Sequence, residues 1–513
     1  MKAKVSLHKD FVIGQIDPKL YGSFVEHLGR CIYGGIYEPG HPKADANGIR
    51  RDVLEVIREL RIPIIRYPGG NYTAGYDWKD SIGPVAQRRA RPDLAWLSLE
   101  PNTFGLEEFV SWAREVPADV LMTLNMGTQG VDDALSLLEY CNFPEGTYWS
   151  DLRKSHGRGA PYNFTHWCLG NETDGPWQVG QKSPAEYARL ANETAKAMKR
   201  LDPRVKVCLC GSSFKTMPTF PEWDRTVVDL CYENVDYLSL HTYLRNFKKD
   251  RATYLAETAE MEDFITLAIG ICDMVKDRRT TRKRLDISFD EWNVWPRAQE
   301  SDRFTDPWRF APPLLEETYT MEDALVFATM MNVLIRHADR VRMACMSLLV
   351  NAISPIMTAT GGPVWRQTTF YPFRYGTLHA TGNSLTPAVE CPHYENSTYG
   401  SVPYLDVSAA ASEETGELAV FIVNRHETEN VDLRLYAGGF PHLESIEHVA
   451  LDAPEPMAAN TKENPLAVVP RSLGKGKVDG EFMDVRLPAF SWNMIRFATA
   501  RRPELSPRKG GRP

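Results

Sequence analysis

The chain has 513 residues, 43% of them hydrophobic and 25% charged, with a formal net charge of −8. That length asks for two domains, the composition excludes disorder and membrane classes, and the acidic balance argues against a nucleic-acid partner. Nine cysteines, an odd number without framework or CxxC spacing, predict reduced, buried thiols of a cytoplasmic protein, and no His/Cys cluster shows metal spacing, so no metal site is expected.

The first segment, "KAKVSLHKD", alternates like a strand and has no helix after it, so residues 1–17 are expected to join a sheet formed later in the chain. No apolar h-region or cleavage site is visible there, and no run is long enough to cross a bilayer. From residue 18 to 375, eight short strand-like runs follow: "LYGSFVEHLGR", "IPIIRYPGG", "DVLMTLNMG", "NFTHWCLGNE", "RVKVCLCGSS", "VDYLSLHTY", "LDISFDEWNVW" and "RMACMSLLVN". Helical segments such as "GIRRDVLEVIRELR" and "PAEYARLANETAKAMKRLD" lie between them, with apolar residues three and four apart. Strands alternating with helices predict a parallel sheet, and eight of them predict a closed (β/α)8 TIM barrel of the α/β class. An open doubly wound sheet is the second choice, but no G-x-G-x-x-G follows the first strand. Residues 376–500 hold only strand runs between turns, among them "ELAVFIVNRH" and "VDLRLYAGG", which predicts an appended C-terminal β-sandwich, jelly-roll-like. The tail 501–513 is proline, glycine and charge, and is expected to be disordered.

In a barrel of this kind catalytic side chains stand at the C-terminal ends of the strands. Those ends carry Glu26, Arg66, Asn125, Asn171 with Glu172, Ser212, His241 with Tyr243, and Glu291. Any one of them alone is as well explained by a structural ion pair or a satisfied core histidine. Together they are costly to bury unless a ligand or partner satisfies them. Glu172 ends the fourth strand and Glu291 the seventh, across the barrel, and a facing carboxylate pair is what glycoside hydrolysis requires. Tryptophans near these positions (Trp96, Trp177, Trp292, Trp295) offer flat faces for sugar C–H groups, whereas Trp167, inside a strand, is expected in the core. Simple alternation turns Asp290 away from the pocket, toward the helices.

The motifs "FVEHLGR", "RYPGGNYTAGYDWKDSIGP", "DLAWLSLEPNTFG", "WCLGNETDGPWQ" and "DEWNVW" closely resemble the α-L-arabinofuranosidases of glycoside hydrolase family 51. The resemblance covers nearly the whole chain. It implies an exo-acting, retaining enzyme that releases terminal arabinofuranosyl residues from small arabino-oligosaccharides, with Glu172 as acid/base and Glu291 as nucleophile. It also implies sugar contacts at Glu26, Asn71, Asn171 and Tyr243, with Arg66 and His241 supporting the two carboxylates. A cytoplasmic homohexamer without metal or cofactor is the corresponding expectation. Two positions depart from the family pattern. Thr242 stands where a glutamine is usual, and Leu348 replaces a glutamine that touches the sugar, so a hydroxyl loses its partner there unless Asn351 or a water supplies one. A related retaining glycosidase (endo-glucanase, β-xylosidase or galactofuranosidase) and a catalytically dead sugar-binding protein are the alternatives. Hydrolysis of an arabinofuranoside beside a glucoside and a xyloside separates them.

Overall fold

The computed structural model describes residues 1–499; the tail 501–513, expected to be disordered, lies outside the described residues. Eight parallel strands close into a barrel: β1 (Gly22–Phe24), β2 (Ile64–Tyr67), β3 (Asp119–Thr123), β4 (His166–Cys168), β5 (Lys206–Cys210), β6 (Tyr237–Leu244), β7 (Asp286–Val294) and β8 (Val341–Met346). All eight pair with their chain-order neighbours, and β8 closes on β1 through Cys345 opposite Gly22. The expected barrel is therefore present, and the open sheet is excluded.

The surrounding helices form for reasons readable in their residues. Pro184–Leu201 starts with Ser183 as N-cap, Pro184 in its first turn, and Glu186 returning a bond to the cap. Tyr187, Ala188, Ala191, Ala195 and Met198 recur at three- and four-residue spacing and are all buried, while Lys199 and Arg200 end the helix at its negative pole. The helix Met321–Arg336 differs, because fifteen of its sixteen residues are buried. A helix apolar on all sides must be covered on all sides. One side stacks Phe327 on Trp292 of β7, at 4.9 Å between ring centroids. The other side meets the sandwich, where Asn332 and Arg336 bond Asp406 at 2.7 and 3.1 Å.

The sandwich consists of a five-stranded and a seven-stranded sheet. Lys2–His8 lies between Ala388–Glu390 and Val431–Gly438 in the first sheet, and Val12–Gln15 pairs with Asn383–Leu385 at the edge of the second. Period-two burial along Lys2–His8 and Val431–Gly438 sends Val5, Leu7, Leu433 and Leu435 inward, onto Val407, Val420, Ile422 and Ile495 of the facing sheet.

Local register matters most on β7. Ser239 of β6 pairs with Ser288, but His241 pairs with Glu291, so β7 spends three residues against two. On its other edge, Phe289 pairs with Ala344 and Trp292 with Met346, again three against two. This is a bulge inside β7, and it cancels the alternation at that point. Asp290 consequently points into the barrel beside Glu291, not toward the helices as alternation predicts, and Trp292 faces outward onto Phe327 and Phe373.

Candidate active site

A cavity of about 520 Å³ opens at the C-terminal mouth of the barrel, lined among others by Glu26, Asn71, Glu172, Tyr243, Glu291 and Leu348. Trp96, Trp177 and Trp295 also border it, and Trp167 is core, its indole N–H given to the Phe164 carbonyl.

Glu172 follows β4 after Gly170, and both residues have positive φ, 90° for the glycine and 42° for the glutamate. A non-glycine residue held in that region costs about 1 kcal/mol or more, and such strain gathers where a side chain must be aimed. Here it aims the carboxylate at the cavity. Oε1 lies 3.0 Å from His241 Nδ1, and Oε2 accepts the Trp177 indole N–H at 2.7 Å. Burial, together with the Glu291 charge, pushes the Glu172 carboxyl above the ordinary carboxylate range against the lowering effect of those bonds.

Glu291 is held from two sides. The Arg66 guanidinium donates to Oε1, and the Tyr243 hydroxyl donates to Oε2 at 2.7 Å. Arg66 also donates to Asn171 Oδ1 at 2.7 Å, and Asn171 passes its amide N–H to Asn71 Oδ1 at 3.1 Å. Burial and the adjacent Glu291 raise the Tyr243 phenol well above its usual value, so it remains a donor. Burial alone would lower the His241 pKa, but Glu291, Asp290 and Glu172 outweigh it and push it up to about 10. The surrounding carboxyl groups thus favour the imidazolium form of His241. Ligand atoms of Glu172, His241 and Glu291 all lie within 4.8 Å of one another, spacing that a cation could use.

Glu26 accepts the Tyr72 backbone N–H at 2.9 Å and the Trp96 indole N–H at 3.0 Å, both on Oε1. Burial and the Glu291 charge push its carboxyl up to about 8, which favours the protonated form, and Oε2 is the oxygen left without those two donors. Leu348 reaches the cavity beside Leu28, Leu315 and Ile353, and these form an apolar wall. Asn351 does not substitute for the missing amide, because it is spent on the Arg30 carbonyl, Thr358 Oγ1 and the Thr358 N–H. Thr242, which alternation along its strand would turn away from the pocket, is among the residues bordering the cavity.

Two strand-end candidates do not reach the site. Asn125 is consumed by its own loop, bonding Tyr76, Thr128 and Gly127, and the Ser212 backbone N–H caps Asp224 at 2.6 Å. Sequence reasoning missed Leu28, Leu315, Ile353 and Phe214, which come from loops without periodicity. It also misplaced Asp290.

Two carboxyl groups facing each other across a cavity bordered by indoles, one pushed up by burial and the other held by the donors of Arg66 and Tyr243, can cleave a glycosidic bond by giving a proton on one side and attacking on the other. Glycoside hydrolase is the class that the fold and this cavity define. Comparison with known proteins narrows it. Residues 56–260 match the model of the alpha-L-arabinofuranosidase 1 domain, and residues 290–491 that of the alpha-L-arabinofuranosidase C-terminal domain. An intracellular exo-α-(1→5)-L-arabinofuranosidase of Halalkalibacterium halodurans is 47% identical over 97% of this chain and 99% of its own. A Bacillus subtilis enzyme of the same description is 46% identical over 96% and 99%. The solved structure of a family 51 α-L-arabinofuranosidase from Bifidobacterium longum superposes with a TM-score of 0.92 at 40% identity, covering 96% of this chain and 99% of that one. The chain belongs to the α-L-arabinofuranosidases of glycoside hydrolase family 51.

Proposed function

We propose that this exo-acting arabinofuranosidase works by double displacement at the barrel mouth, releasing terminal α-L-arabinofuranosyl residues from small arabino-oligosaccharides. One observation carries the stereochemical part: carboxylate oxygens of Glu172 and Glu291 approach within 4.8 Å. Retaining enzymes hold their carboxyl groups about 5–5.5 Å apart, whereas inverting ones need about 6.5–9.5 Å to admit a water between them. In the first step a Glu291 oxygen bonds the anomeric carbon as the glycosidic C–O bond breaks, and the departing oxygen takes the Glu172 proton. In the second, Glu172, now ionised, removes a proton from water, whose oxygen displaces Glu291 from the sugar.

Supporting roles follow from the contacts. Arg66 and Tyr243 hold Glu291 in line, while Asn71, Asn171 and Glu26 bond sugar hydroxyls. Trp96 and Trp177 offer flat faces to the sugar. His241 steers Glu172 and lowers the cost of its ionised form between the two steps. The linkage α-(1→5) is proposed from the names of the two relatives, and an intracellular location likewise. Among the described residues no helix is long and apolar enough to cross a membrane. A cytoplasmic homohexamer rests on the family resemblance. The direct test is hydrolysis of chromogenic α-L-arabinofuranoside, β-D-glucoside and β-D-xyloside side by side. Cleavage confined to the first is expected, and equal or faster cleavage of either other would overturn the substrate assignment.

A further inference from the structure

We propose that Asp290 is a positioning residue for both halves of the reaction, one carboxylate that holds the arm behind the nucleophile with one oxygen and the arm behind the acid/base with the other. The proposal rests on the roles given above to Glu172 and Glu291 and extends them to the layer beneath.

The bulge in β7 makes this possible, because it turns two successive carboxylates into the barrel where a regular strand would turn one. Asp290 is fully buried below the cavity floor. Its Oδ2 faces Arg66 Nε at 3.5 Å and accepts from Cys168 Sγ of β4 at 3.1 Å. Arg66 Nε has no hydrogen-bond partner, while the other two guanidinium nitrogens serve Glu291 and Asn171. That is the nucleophile's arm. Its Oδ1 accepts from Ser239 Oγ of β6 and faces His241 Nε2 at 3.5 Å, with His241 Nδ1 on Glu172. That is the acid/base's arm.

Charge agrees with this geometry. Burial would raise the Asp290 carboxyl, but Arg66 and then His241 and Ser239 overcome it and hold it at about 2, so the anion persists across the working range. A buried charge of this kind is tolerated only with its partners in place, so Arg66 and His241 are fixed by it as much as it is by them. The groups facing His241 are Glu172 from the end of β4, Asp174 just beyond it, Asp290 and Glu291 from β7, and the Ser239 hydroxyl. Asp290 is the one of these carboxylates that reaches Arg66 and His241 without bordering the cavity.

The test is Asp290→Asn, which keeps the shape and removes the charge. Two readouts are taken on the purified full-length enzyme. Turnover of an aryl arabinofuranoside should fall about 100-fold with KM little changed, since misplaced catalytic groups cost rate and not binding. The His241 ring, followed by NMR of labelled imidazole, should lose its proton at lower pH than in the wild type. A folded variant with unchanged kcat, or with an unmoved His241 titration, overturns the proposal, because a purely structural role would leave the titration in place. If Asp290→Asn fails to fold, Ser239→Ala and Cys168→Ala decide. The first should shift the His241 titration and lower kcat, the second should lower kcat alone, and wild-type behaviour of both overturns the proposal. Activity surviving in Glu291→Ala would instead sink the underlying mechanism, so the two failures are distinguishable.

Discussion

The barrel mouth and the sandwich core bury side chains for opposite purposes. Between the two sheets the fully buried hydrophobic residues are aliphatic apart from Met483 and Phe497: Val5, Leu7, Val407, Val420, Ile422, Leu433, Leu435 and Ile495 among them. At the mouth, Arg66, Glu172, His241, Asp290 and Glu291 are all buried within one network, with Glu26 buried beside it. Burying apolar surface contributes roughly 25 cal/mol per Å², whereas ionised groups cost several kcal/mol each unless paired. Stability is therefore expected to reside in the sandwich and helix packing. The mouth holds its charges in a geometry that a fold optimised for stability would not choose. The contrast teaches where substitutions should strike.

The largest effect should come at the mouth. Glu291→Ala should abolish turnover, and azide, small enough to enter the vacated space, should restore part of it by attacking the anomeric carbon directly. The product would be an arabinofuranosyl azide of inverted configuration. Near-normal hydrolysis by Glu291→Ala would contradict the assignment.

Next is Glu172→Ala, whose loss should depend on the leaving group. A poor leaving group needs the proton, so natural arabino-oligosaccharides should suffer far more than activated aryl arabinofuranosides. Because the Glu172 pKa is raised in the folded enzyme, its acid form persists above the usual carboxylate range and disappears as pH rises through the raised value. The basic limb of the wild-type kcat/KM profile should report that loss, and in Glu172→Ala it should flatten. Equal losses on both substrate types would make Glu172 a binding group only.

The sandwich should answer in the other currency. Ile422→Ala removes a fully buried side chain far from the cavity and should cost about 2–5 kcal/mol of stability, read as a lowered Tm or denaturation midpoint. Its kcat at temperatures where it stays folded should match the wild type. A matching fall in kcat would couple the two regions, through the helix Met321–Arg336 that touches both.

Leu348→Gln should have the smallest effect and the most specific one. A glutamine amide restored to the apolar wall would add one neutral hydrogen bond, worth about 0.5–1.5 kcal/mol or roughly 2- to 12-fold in kcat/KM. The gain should appear on arabinofuranoside and not on galactofuranoside or xyloside. An equal change on all three would show that this wall does not read the sugar.

How much of this was legible in the sequence follows the same divide. The barrel was readable because each strand run ends in a recognisable turn, as in "RYPGG" and "CLGNE", and each helix carries its own apolar stripe. Residues at the mouth were readable because strand ends have a fixed meaning in a barrel. Asp290 was misread because alternation is a rule for regular strands, and the bulge that breaks it leaves no mark in "ISFDEWNVW". Asn125 occupies a strand end yet serves its own loop, and Ser212 stands at another without reaching the cavity, outcomes that strand position does not encode. Leu315 and Ile353 reach the cavity from loops, where aliphatic residues carry no periodic signal.

The most direct test of the central claim, that Glu172 and Glu291 act as a retaining pair, is the anomeric configuration of the sugar as first released. Proton NMR during the first minutes of hydrolysis of an aryl α-L-arabinofuranoside distinguishes the two anomers before mutarotation mixes them. The account predicts α-L-arabinofuranose first, with the β anomer growing in later. Initial appearance of the β anomer would mean direct displacement by water, and would contradict a nucleophilic role for Glu291.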